Sequence, residues 1–161
     1  MRVVAIPLAL LLTLPYAYGA DSPATISLSF LAPEIANRIV VSAVQDCARR
    51  GYKVSAAAVG RDGNLTAFLR DPLSGPHTVE VSQRKAYTAA TLQAATSQMQ
   101  SRADLAFAPG ILLVVGGVPI CAGGKCLGAV AVAGAEPTID EQCAQAGIAS
   151  VQEDLEFGDA R

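Results

Sequence analysis

The stretch SGPHTVEVSQRKAYTAA, residues 74–90, holds the side chains of this chain best suited to coordination chemistry: His77, Arg84, Lys85 and Tyr87. His77 is the only histidine and stands directly after Pro76, where a basic, helix-like run begins. If Thr78 opens the helix, the positive end of its dipole disfavours a protonated imidazole, and a metal ligand must be neutral. Arg84 follows by nearly two helical turns and so projects from about the same face, with Lys85 adjacent. Together they suit an iron porphyrin, which offers an axial site to imidazole and two propionates to guanidinium or ammonium. Tyr87 is a possible phenolate ligand, but along a helix it lies about 15 Å from His77, so the two cannot share one iron within a subunit. The plainer readings are a loop or capping histidine and a solvated basic face.

Other chemistries find less support. No G-x-S-x-G elbow is present, and a serine triad would have to use His77 as its base. The stretches GGVPI and AGGK match neither a phosphate loop nor a dinucleotide fingerprint and read as tight turns. Four cysteines, Cys47, Cys121, Cys126 and Cys143, could hold zinc. In an exported chain, disulfides are the simpler reading. Of three possible pairings, hairpin geometry around AGGK favours Cys121 with Cys126, leaving Cys47 with Cys143, each on the apolar stripe of a predicted helix. No C-x-x-C-H occurs for covalent haem attachment, and NLT at Asn64 is a glycosylation acceptor only if the source cell glycosylates; inside a predicted hairpin its plainer reading is coincidence. The net charge of −2 without a Lys/Arg cluster argues against nucleic acid.

The elements that must position these residues follow from periodicity. Residues 1–19 read as a secretory signal peptide: Arg2, an apolar run from Val3 to Leu14 and a small-residue end, with cleavage placed after Gly19. That run is too short for a transmembrane anchor. The remainder is of single-domain size, with the domain set at 33–153 and a tail at 154–161 whose end, EFGDAR, is expected to fray. A helix is predicted from Pro33, ending at Gly51, followed by two short strands about the Asp62-Gly63 turn. A long helix from Thr78 to Gln100 is expected because that run lacks Gly and Pro. PGILLVVGGVPI and KCLGAVAVAGA then supply one or two strands through the cysteine tip. A last helix opens at TIDE, where Thr138 and Glu141 form a capping-box pattern. The order α-β-β-α-β-β-α predicts an α+β domain, an antiparallel sheet flanked by helices. With 52% hydrophobic and 16% charged residues, such a chain is expected to hide apolar surface as a homo-oligomer.

The blocks AVGRDGNLTAFLRD, RKAYTAAT, PGILLVVGGVPI and CLGAVAVAGAEPTIDEQCAQAGI resemble, in order and spacing, the HbpS/GlcG-like haem-binding family, also seen as a domain of PduO-type corrinoid adenosyltransferases. The resemblance spans about Pro33 to Val151. It implies an oligomeric antiparallel sheet with flanking helices, whose members bind haem and in some cases degrade it or sense redox state. It carries no shared catalytic residue onto this chain. Two departures stand out: the longer loop DPLSGPHTVEV bearing His77, and the cysteine pair in PICAGGKC. The expectation is a secreted or periplasmic protein that binds haem non-covalently, through His77 as axial ligand and Arg84 or Lys85 as propionate partners, for storage, transport or sensing. The rival expectations are a small-molecule or corrinoid-handling accessory enzyme, and a ligand-free oligomeric interaction module.

Overall fold

The structure, a computed structural model, describes residues 24–158. The proposed signal peptide, residues 1–19, lies outside them. Helix α1 (Pro33–Arg49) opens with proline at its first position and buries Ala36, Ile39, Val40, Ala43 and Cys47 on one stripe. Strands β1 (Ser55–Gly60) and β2 (Leu65–Arg70) form the expected hairpin, where Gly63 takes the left-handed φ of 79°. Helix α2 (Thr78–Leu92), strands β3 (Gly117–Ala122) and β4 (Lys125–Ala133), helix α3 (Pro137–Ala149) and a short helix α4 (Gln152–Phe157) follow. The sheet is antiparallel throughout, in the order β2-β1-β4-β3.

Strand alternation divides the core into two halves. Ala56, Ala58, Val130, Val132 and Ile120 point to one face and pack with α1 and α3. Ala57, Val59, Ala129 and Ala131 point to the other and meet Ala86, Ala89 and Ala90 of α2. The second half is built almost wholly of methyl groups, so α2 lies very close to the sheet. A Cβ on Gly117 would fall 2.5 Å from the Lys85 carbonyl oxygen. Disulfides join Cys47 to Cys143, tying α1 to α3, and Cys121 to Cys126 across the β3–β4 tip, the pairing that hairpin geometry favours.

Four details differ from the sequence reading. Helix α2 stops at Leu92 rather than Gln100, with Gln93 in a left-handed conformation (φ 51°) and a 3₁₀ turn at Thr96–Met99. The Thr96 hydroxyl there accepts the Gly117 amide at 3.0 Å, a tertiary bond that a straight helix would forgo. Helix α3 starts at Pro137 with Glu136 as cap residue, so Thr138 lies inside the helix and no capping box forms; Glu141 accepts a bond from Ser97 instead, 3.0 Å away. Within PGILLVVGGVPI only residues from Gly117 onward are strand. The part before it is held to α2 by side chains, with the Leu112 amide donating to Thr88 Oγ1 and Arg84 to the Ile111 carbonyl. The expected tail is helical through Phe157, and Asp154 pairs with Arg38 at 2.8 Å.

Candidate functional site

The start of α2 is fixed by hydroxyls. Thr78 Oγ1 lies 2.7 Å from Ser55 Oγ, 2.8 Å from Ser74 Oγ and 2.6 Å from the Gly75 carbonyl, all at buried positions or nearly so. That cluster anchors the first turn to β1 and leaves His77, the cap residue, on the surface. The imidazole makes no capping bond and no hydrogen bond among the described residues. It folds over Gly75, where a Cβ would come within 2.7 Å of its Cε1. Of the three readings open to this histidine, the cap is therefore removed, and the ring keeps its nitrogens free.

Beneath His77, on the stripe His77–Val81–Lys85, lies a hollow of about 220 Å³ that also reaches Ala133–Ala135, Pro137 and Asp140. Lys85 was expected as a surface cation facing a propionate. It is instead buried, 2% exposed, with its Nζ donating to Asp140 Oδ2 at 2.9 Å and to the Val132 carbonyl at 3.0 Å. Its ammonium is committed to α3 and β4 and is withheld from an exterior carboxylate. The lysine reaches α3, on the opposite face of the sheet, past Gly116, whose Cβ would stand 2.8 Å from Nζ and 2.9 Å from the Val132 oxygen. The GG of GGVPI is thus a passage for a side chain. Asp140 Oδ1 accepts the Ala135 amide at 3.0 Å. Burial pushes its carboxyl above the ordinary aspartate range, against the opposing pull of Lys85.

Arg84 and Tyr87 occupy a different stripe. Arg84 faces Glu80 at 3.6 Å and keeps 42% of its side chain exposed. The Tyr87 ring lies against two glycines, since Cβ atoms on Gly63 and Gly110 would approach it to 2.8 and 3.1 Å. These residues line a separate hollow of about 260 Å³ with Asn64 and Gln83. The four residues selected from the sequence are therefore split in pairs, His77 with Lys85 and Arg84 with Tyr87. A larger groove of about 480 Å³ runs between Phe30, Lys125 and Leu155 and touches none of them. Among the described residues no group of three His, Cys, Asp or Glu side chains could hold a metal ion, and no helix is long and apolar enough to cross a membrane.

Asp140 was missed from sequence. Its signal was position: Asp140, Cys143, Ala144 and Gly147 form the buried stripe of α3, and a carboxylate on such a stripe requires a cation. Lys85 stands likewise between buried Ser82 and Ala86.

This is an α+β fold in three layers, α2 on one face of a four-stranded antiparallel sheet and α1, α3 and the short α4 on the other, with its candidate chemistry along α2. The chain belongs to the HbpS-like family: the model described as "Haem degrading protein HbpS-like" matches residues 31–149. Protein GlcG of Escherichia coli strain K12 is 32% identical over 107 residues, 63% of this chain and 80% of GlcG. A crystal structure of HbpS is 34% identical, with a TM-score of 0.76 over 83% of this chain and 98% of that one. A crystal structure of a PduOC:heme complex shares the fold at 22% identity and a TM-score of 0.68, over 75% and 94% of the two chains.

Proposed function

We propose that this protein is exported and binds haem non-covalently in domain 33–153, lying across the surface of α2 with His77 as axial ligand and a propionate reaching Arg84, which lines the neighbouring hollow with Tyr87. The observation that carries the reading is the single histidine, exposed at the head of α2 with both ring nitrogens unbonded among the described residues. Family membership and a fold relative solved with haem support it. The donors suit the group, for neutral imidazole ligates haem iron and a half-exposed guanidinium suits a propionate. The hollows suit it less as enclosures. Pockets that engulf a drug-sized ligand hold about 300–1,000 Å³, against about 220 and 260 Å³ here. Haem would therefore lie against the open surface, its outer face left to solvent or to a second copy of the chain. Lys85 is left out of this set because it is buried against Asp140. Export is supported by the N-terminal pattern and by two disulfides, which persist in oxidising compartments. Storage, transport or sensing is the role such a surface site suits.

Hemin titration of the apo protein tests the assignment. A saturable Soret shift is expected, with affinity at least about tenfold weaker in His77→Ala. Absence of a shift, or the same affinity in the variant, removes His77 from the role.

A further inference from the structure

We propose that residues Thr25–Phe30 add a further strand to the open β2 edge of a second copy of this chain, and that the partner returns its own arm in exchange. The segment TISLSF that leads into α1 alternates strictly: Ile26, Leu28 and Phe30 fall on one side of an extended chain, Thr25, Ser27 and Ser29 on the other. That is the pattern of a strand with one buried face. Yet every residue from 24 to 30 is exposed, the three apolar side chains among them by 79, 51 and 54%. None of these residues makes a backbone hydrogen bond among the described residues. The arm therefore carries a ladder and an apolar face that its own chain leaves unused.

A ladder is offered only at the edges of the sheet, and the two edges differ. β3 is closed, for Pro119 removes a donor at its middle and the Gly117 amide is already given to Thr96. β2 carries neither proline nor lysine from Leu65 to Arg70, pairs with β1 alone and leaves Leu65 50% exposed. Its Ala67 and Leu69 are only partly buried against the α1 side of the core, and the row Ile26–Leu28–Phe30 would continue that apolar layer. Neither the arm nor Leu65–Leu69 bears a charge, so no repulsion opposes the pairing. The occupant is a second copy because the arm does not take its own edge. Its root lies at the β1–β2 hairpin, where a Cβ on Gly60 would stand 3.7 Å from the Phe30 ring, yet the hairpin is left unpaired. One arm and one edge per chain match in number, so a two-fold exchange satisfies both. An extended six-residue segment exposes on the order of 900 Å². Burying half of each arm against an equal area of edge covers about 1,800 Å² in total, within the roughly 1,200–2,000 Å² of a stable interface.

The test uses iron-free protein, so failure of the haem reading leaves it unaffected. Sedimentation equilibrium over a concentration series gives the strength of self-association, and amide hydrogen exchange in β2 reports whether its outer edge is paired. The expected result is self-association that Leu28→Asp weakens at least tenfold, because pairing would bury the new carboxylate without a partner. Leu28 is 51% exposed and lies outside the core, so the variant should keep the parent's Tm at concentrations where both are monomeric. Outer-edge amides of β2 should be protected in the associated protein and should exchange freely in the diluted parent and in the variant. A protein that stays monomeric at its highest soluble concentration would overturn the exchange. So would an assembly that Leu28→Asp leaves equally tight, or edge protection that persists in the monomer, which would place the arm on its own sheet.

Discussion

Lys85 and Arg84 are neighbours in sequence and alike in charge, yet they face different surroundings. A residue step turns a helix by about 100°, and on α2 that turn separates a side chain that is 2% exposed from one that is 42% exposed. Lys85 joins helices on opposite faces of the sheet through Asp140. Arg84 stays at the surface with Glu80 and the Ile111 carbonyl. Adjacent cations in a sequence are therefore no evidence of a shared role. Below His77, the stripe through Lys85 is architecture with a hollow at its end, while Arg84 and Tyr87, on the outer stripe, stay at the surface.

The comparison breaks most sharply at Lys85. Replacing it with Met leaves the Asp140 carboxylate buried without a partner, which should cost about 3–5 kcal/mol of stability in urea unfolding. Adding Asp140→Leu should recover most of that loss, because an apolar pair of similar volume replaces the ions. A single variant as stable as the parent would show that the pair carries no charge in the folded protein. On the outer stripe the largest effect is expected at the glycines beneath Tyr87. Gly110→Ala places a methyl 3.1 Å from the ring at a φ of 82°, and strain plus overpacking should cost about 1–3 kcal/mol. Tyr87→Ala in the same chain should return the steric part, leaving only the backbone strain, as read by the shift in denaturation midpoint.

The two stripes should also part in their response to pH. Burial raises the Asp140 carboxyl in the folded state while Lys85 draws it down, and the net direction is upward. A group whose folded pKa exceeds its unfolded value, about 3.9 for aspartate, binds protons more readily when folded. Its contribution to stability is complete below the unfolded value and declines as pH rises through the folded one. The stability gap between the parent and Asp140→Asn should therefore narrow as pH rises from about 3.9, measured by urea unfolding at a series of pH values. A gap that widens over that window would place the folded pKa below the unfolded one.

Much of this architecture was legible in the sequence. The stripe of α1, the Asp62-Gly63 turn and the cysteine pairing follow from local periods and turn chemistry, while the family was legible only as a resemblance of four blocks. What escaped was decided by tertiary contacts. Nothing local in the run from Thr78 to Gln100 ends a helix at Leu92; the bonds of Thr96 to Gly117 do. The pattern Thr138 to Glu141 satisfies the capping rule, but Pro137 begins the helix one residue earlier and Ser97 takes the glutamate. At the site, residue type selected His77, Arg84 and Tyr87 as ligand candidates, and all three reach the surface. It misplaced Lys85, whose burial depends on a glycine at position 116 and a carboxylate 55 residues away.

The smallest effect expected concerns the outer pair alone. Glu80 is 77% exposed and lies 3.6 Å from Arg84, and exposed pairs of this spacing contribute about 0.3–0.5 kcal/mol. Glu80→Gln should thus leave stability nearly unchanged. Its consequence for ligand binding has the opposite sign to that of His77→Ala. Glu80 is a carboxylate competing for the guanidinium that the proposed haem propionate would occupy, so removing its charge should raise hemin affinity modestly, by about twofold on the same energy scale. If Glu80→Gln weakens hemin binding instead, Arg84 is not the propionate partner, and the outer stripe of α2 serves a contact other than haem.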